Sequence, residues 1–189
     1  MGGSRKGFDA AVVDAAGVIG GPESKLMSPE AVIEWLMQFG PTVVAVDSPR
    51  CTAPPGEASR VCERQLASSV CGIRWTPDAR RVAANGYYEW VRRGLELYAA
   101  LESAGAGWEV IEVFPTASWT QWADRRGNRS RAAWSGAALG SLGLERVPRR
   151  RLSQDARDAI AAAVTARAFT HGRVQCFDEI VVPLEGLPA

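Results

Sequence analysis

Thr42-Val43-Val44-Ala45-Val46-Asp47-Ser48-Pro49 is the stretch that decides the fold. Its first five residues are uncharged and mostly β-branched, and Pro41 and the turn-forming Asp47-Ser48-Pro49 bound them, so they read as a central strand buried on both faces. Asp47 then stands at the strand's C-terminal end. The pattern recurs in Trp108-Glu109-Val110-Ile111-Glu112-Val113-Phe114, which stops at Pro115 and carries Glu112 near its end. Helices are expected between and around these strands. Ser28-Pro29-Glu30 is a helix start with Ser as N-cap, Pro at the first position and an acid in the first turn, and Gly40-Pro41 ends that helix. Further helices are read from Ser59 to about Val70, Tyr87 to Ser103, Thr116 to Ala123, Ala132 to Gly143 and Asp155 to about Phe169, the last capped by Ser153. An extended stretch through Val182-Pro183 follows.

At the front, Asp9 to Asp14, a turn at Ala15-Ala16-Gly17 and a return over Val18 to Gly21 read as a β-hairpin. Strands alternating with helices give an α/β domain, and the hairpin joined to it makes the sheet mixed. No linker or repeat divides residues 1–189, so one domain is expected. The 189 residues are 47% hydrophobic and 23% charged, which suits a globular chain with a full core and excludes disorder and collagen.

Lys and Arg number 22 against 21 Asp and Glu, a net charge of +1, so any polyanion site must be local. No apolar run reaches the length of a membrane span, and Met1 to Lys6 precede no signal-peptide core. A cytoplasmic protein without a membrane partner is expected. Cys51, Cys62, Cys71 and Cys176 match no zinc spacing, one histidine cannot complete a Cys/His set, and the cysteines read as reduced, mostly buried thiols.

Ligands in open α/β sheets gather beyond the carboxyl ends of the strands, where Asp47 and Glu112 fall. The plainer reading of Asp47 is a cap for its turn or a partner of Arg50. Asp155 and Asp158 lie three residues apart on a helix whose Ala156, Ala159, Ala162 and Ala163 allow close approach to a sheet. Dipole compensation in a first turn explains Asp155 well and Asp158 less well. These four acids are oxygen donors that suit Mg²⁺ or Mn²⁺, and the chemistry they imply is phosphoryl transfer to water without a histidine or serine nucleophile. His171 reads as a helix C-cap. Two arginine clusters, Arg125, Arg126, Arg129 and Arg131, then Arg146, Arg149, Arg150 and Arg151, could hold phosphates, and Trp119 and Trp122 could stack bases beside the first. Solvated arginines and core tryptophans are the plainer alternative. No P-loop or dinucleotide fingerprint is present.

The order of the hairpin, Val43-Val44-Ala45-Val46-Asp47-Ser48-Pro49-Arg50, Arg60-Val61-Cys62-Glu63, Cys71-Gly72-Ile73, Val110 to Pro115, and Asp155-Ala156-Arg157-Asp158-Ala159 resembles domain-of-unknown-function family 429. That family is described as predicted nucleases with a ribonuclease H-like fold. The resemblance implies a mixed sheet with helices on both faces and a divalent-metal site. Carried over, Asp47 and Asp158 would be the principal catalytic and metal-binding acids, with Asp155 an auxiliary ligand and Glu112 an auxiliary acid that either binds metal or braces the loop after Pro115. Arg50, Arg125 and Arg126 would hold substrate phosphates, and Glu63 a structural salt bridge. One departure stands out. The fold's first strand, with its own essential acid, should precede the strand that Gly7 to Asp14 resembles, and only Met1 to Lys6 do so here. A start codon set too late, Asp9 as a substitute acid, or loss of the metal site would each account for it, the first being the expectation, with an unpaired sheet edge as its consequence.

The expected function is thus a divalent-metal-dependent nuclease acting on nucleic acid. The rival is a non-catalytic nucleic-acid or protein-binding module on the same scaffold. A nucleotide-handling enzyme of the sugar-kinase and actin-like branch is disfavoured, because those proteins pair two such domains.

Overall fold

The computed structural model describes residues 7–123 and 125–186; Met1 to Lys6, named above, lie outside the described residues. Strands β1 (Phe8–Val13) and β2 (Val18–Leu26) form an antiparallel hairpin with longer arms than the sequence suggested. Asp14 fastens its turn by accepting from the N–H groups of Ala16 and Gly17 at 2.9 and 2.8 Å. Gly17 is required by close approach, since a Cβ there would fall 2.2 Å from the Glu145 carbonyl oxygen.

After the hairpin come α1 (Pro29–Met37), β3 (Val43–Val46), α2 (Val61–Ser69), α3 (Ala79–Ala84), a 3-10 turn at Gly86–Tyr88 and α4 (Glu89–Ser103). The chain continues through β4 (Glu109–Val113), α5 (Pro115–Trp122), α6 (Arg131–Ser141), α7 (Gln154–Thr170), β5 (Val174–Phe177) and β6 (Ile180–Pro183). Local chemistry sets the boundaries. Ser28, Ser130 and Ser153 each accept a backbone N–H three residues on, and Pro29 and Pro115 open their helices where no donor is needed. Helix α3, absent from the sequence reading, had a comparable signal in Pro77-Asp78: Asp78 accepts from the Arg81 N–H at 2.9 Å.

The main sheet has the order β3-β4-β6-β5, with β3, β4 and β6 parallel and β5 antiparallel to β6. Two expectations are corrected here. The front hairpin forms a separate two-stranded sheet, and the main sheet is mixed because the terminal stretch folds back as the β5-β6 pair. Helices do cover both faces. Val44, Val46 and Val110 pack with Leu36 of α1 and Leu97 and Leu101 of α4, whereas Ala45, Ile111 and Val113 pack with Ala162 of α7. Among the described residues no helix is long and apolar enough to cross a membrane.

Helix α7 touches both sheets, and its alanines make that possible: small side chains let β1 and β3 lie against the same helix. The cysteines depart from expectation in part. All four are free, but only Cys62 is fully buried, while Cys51 and Cys176 are exposed.

Candidate functional site

Asp47 leaves the end of β3, and Asp155 and Asp158 sit in the first two turns of α7. The fold brings the three together. All line one cavity of about 420 Å³ walled by β1, β3, α7 and the apolar side chains of Leu36, Leu97 and Leu101.

The acids differ in their surroundings. Asp47 is half-buried, and its pKa is pushed up from 3.8 to about 6, chiefly by burial, with Asp158 and Asp155 adding to the rise and Arg131 opposing it. Asp158, only 6% exposed, is held on three sides. Its Oδ1 accepts from Trp119 Nε1 at 2.8 Å and Gln154 Nε2 at 2.9 Å, and its Oδ2 from Arg131 at 3.0 Å. Asp155 is half-buried at the N-terminal end of α7.

Among the described residues no three Asp, Glu, Cys or His side chains stand together as a ready-made metal cage. The donor chemistry nevertheless fits a hard cation. Mg²⁺ keeps several waters and needs only one or two carboxylates, which Asp47 and Asp155 can offer, whereas Asp158 would first have to release Arg131.

Glu112 does not join this group, and register explains why. It pairs with Val46 in the parallel ladder, so it shares Val46's face toward α4, while Asp47, one residue on, belongs to the α7 face. Its carboxylate accepts from Arg60 Nη1 at 2.8 Å, from Arg60 Nη2, and from the Arg50 N–H at 2.7 Å. The auxiliary acid is therefore a brace for the loop after β3. Arg60, a pivotal residue the sequence reading passed over, is 3% exposed and also pairs with Glu63 at 3.1 Å. Burial works against its charge, and Glu112 more than offsets that, so its pKa rises. Glu63 caps the same helix and accepts from the Thr76 N–H at 2.9 Å, the structural role expected of it. Its signal was an acid three residues after Arg60, the spacing of a capping box.

A family profile described as "Protein of unknown function (DUF429)" matches residues 4–180. The chain belongs to the DUF429 family. No curated protein and no solved structure matches it.

In this DUF429 protein the expected phosphate holders are dispersed. Arg50 is turned away from the acids: its guanidinium bonds the Val110 carbonyl and Glu102, each at 2.8 Å, and lies over the Tyr98 ring. It neither pairs with Asp47 nor lines the cavity. Arg125 and Arg126 are exposed in the loop between α5 and α6, outside the cavity lining, where their carbonyls accept from the Arg129 guanidinium at 2.6 and 3.0 Å. Arg146 and Arg150 tie the segment before α7 to the hairpin, through Asp14 at 2.8 Å and the Pro22 carbonyl at 3.4 Å. Trp119 and Trp122 are core residues packed edge to face, so neither presents a ring to a base. His171 is the C-cap of α7, as expected, and lines the cavity end away from the acids.

Proposed function

We propose that this DUF429 protein is a divalent-metal-dependent nuclease on a ribonuclease H-like scaffold, located in the cytoplasm. One observation carries the reading: the carboxylates of Asp47, Asp155 and Asp158, far apart in sequence, converge on one cavity at the carboxyl end of β3. Burial makes the ionised carboxylate of Asp47 costly, so a cation bound there would offset that cost, and its binding would weaken as pH falls below about 6 and protons compete for the carboxylate. Asp47 and Asp155 would hold Mg²⁺ or Mn²⁺, and Asp158, fixed by Trp119 and Gln154, would orient the first turns of α7. The ion, when bound, supplies Lewis-acid stabilisation of a scissile phosphate and a more acidic water. Arg131, half exposed beside Asp158, is the cation placed to meet a phosphate at this mouth, with Arg125 and Arg126 further along the same loop.

The test is cleavage of labelled single- and double-stranded DNA and RNA with Mn²⁺ or Mg²⁺, alongside Asp47→Asn. Metal-dependent cleavage lost in Asp47→Asn supports the reading. A second reading is a binding module, favoured by the complete engagement of Asp158. Salt-dependent nucleic-acid binding with no cleavage under any metal would establish it in place of the nuclease.

A further inference from the structure

The two oxygens of Asp158 are held by partners of different kinds. Oδ1 accepts from Trp119 Nε1 at 2.8 Å and Gln154 Nε2 at 2.9 Å, and both donors are fixed. Trp119 is fully buried. Gln154 is held from behind: its Oε1 accepts from Arg157 Nη2 at 3.0 Å, and buried Arg157 is itself anchored on the Leu152 carbonyl at 2.6 Å. Only the N–H side of the Gln154 amide is therefore left for Asp158. Oδ2 has a single hydrogen-bond partner among the described residues, Arg131 Nη2 at 3.0 Å. That partner's side chain is 44% exposed, against 9% for Asp158. The Arg131 backbone is pinned at the start of α6, where its carbonyl accepts from the Ser135 hydroxyl at 2.8 Å, so the guanidinium can swing outward while the helix stays. Asp158 and Arg131 both act on the Asp47 carboxyl, with opposite signs, which sets the ion pair beside the space assigned to the metal.

We propose that Arg131 is a positioning residue that leaves Asp158 for a phosphodiester of the substrate strand, and that the Asp158 Oδ2 so released becomes a further ligand of the divalent ion. The proposal rests on the metal-dependent reading given above and adds to it the order in which the site is assembled. A buried carboxylate stripped of its cation is strongly disfavoured, so departure of Arg131 and arrival of an ion at Oδ2 belong together. A phosphodiester suits the other half of the exchange, since its two free oxygens match the fork of a guanidinium. The exchange is one for one: Arg131 passes from carboxylate to phosphate, Oδ2 passes from guanidinium to metal, and no buried charge is left alone. Without a phosphate at the mouth, Arg131 occupies Oδ2 and the ion has only Asp47 and Asp155 to hold it. With one, Asp158 joins them. By linkage, strand and metal then raise each other's affinity by the same factor.

The experiment is a double-mutant cycle on the full chain, with wild type, Arg131→Met, Asp158→Asn and the two changes together. Mn²⁺ affinity is read by calorimetry without nucleic acid, and affinity for a fluorescein-labelled oligothymidylate is read in chelator, where the metal-dependent reaction is silent. Arg131→Met should bind Mn²⁺ about tenfold tighter than wild type, a gain that a merely structural residue would not give. The gain should vanish in the Asp158→Asn background, where there is no carboxylate to release. In chelator, Asp158→Asn should bind the oligothymidylate about tenfold tighter than wild type, because Arg131 is free to meet it, and this gain should vanish in the Arg131→Met background. Arg131→Gln, which keeps an N–H donor for Oδ2 without the charge, is measured alongside and should also gain Mn²⁺ affinity, so a folding failure of the Met variant leaves the test standing. Mn²⁺ affinity that is equal in wild type and the Arg131 variants, a gain that persists in the Asp158→Asn background, or equal oligothymidylate affinity of wild type and Asp158→Asn would overturn the exchange while leaving metal binding intact. Absence of Mn²⁺ binding in every variant would overturn it together with the metal-dependent reading.

Discussion

Replacing Asp47 by Asn should stabilise the metal-free protein in a pH-dependent way. The carboxyl's pKa rises from 3.8 to about 6 in the fold because burial opposes the charge. At about 1.4 kcal/mol per tenfold change, ionising Asp47 in the folded state costs about 3 kcal/mol, or about 2 kcal/mol once the solvent reaching a half-buried side chain is allowed for. The sign follows from linkage. A folded pKa above the unfolded one gives stability that is fully present below pH 3.8 and is lost as pH rises through about 6. Asn carries no such dependence. Urea unfolding in chelator should therefore find Asp47→Asn and wild type close together near pH 4, with the variant about 2 kcal/mol more stable at pH 7.5. For a chain of this size that is roughly 4 to 8 °C in Tm. Saturating Mn²⁺ should close the gap at pH 7.5 by stabilising the wild type alone. A wild-type to variant difference that stays constant from pH 4 to 7.5 would refute the claim that burial of an ionised Asp47 is costly.

Arg60→Met should cost about 3 to 5 kcal/mol in chemical denaturation, because it leaves Glu63 and Glu112 as buried carboxylates without their cation; the triple change Arg60→Met, Glu63→Gln, Glu112→Leu should recover much of that loss. Trp119→Phe keeps the ring in the core but removes the N–H donor to Asp158, and a loss of about 1.5 to 3 kcal/mol is expected for a bond to a charged group, measured by the same unfolding curves. Gly17→Ala forces a Cβ onto the Glu145 carbonyl; the hairpin must shift, and exchange at the Val18 N–H, which donates to that carbonyl at 3.0 Å, should accelerate.

Much of this fold is legible from one dimension. The β-branched runs at Val43 and Val110 and the serine and proline helix starts are local signals, and local physics decides them. The acids at Asp47, Asp155 and Asp158 could be brought together because strand ends and a small-residue helix have a standard geometry. Glu112 could not be placed, since its face depends on parallel register with β3, a relation between segments about 65 residues apart. Arg50 and Arg60 were illegible for a related reason: a guanidinium's partner is chosen by tertiary neighbours, here Glu102 and Glu112. The detachment of the hairpin from the main sheet was equally hidden, because β-propensity says that a strand forms and not which edge it meets.

Helix α7 is the surface on which the hairpin rests, and it is synthesised long after the hairpin. About 140 residues separate the end of β2 from the end of α7. At ribosomal rates of roughly 5 to 20 residues per second, the hairpin waits on the order of 10 to 30 s for its support. During that interval the apolar side chains of Ala11, Val13 and Val18 have no native partner on α7. A nascent chain of this kind is a ready client for a chaperone that binds extended apolar segments, and slowing translation before α7 should increase aggregation rather than relieve it.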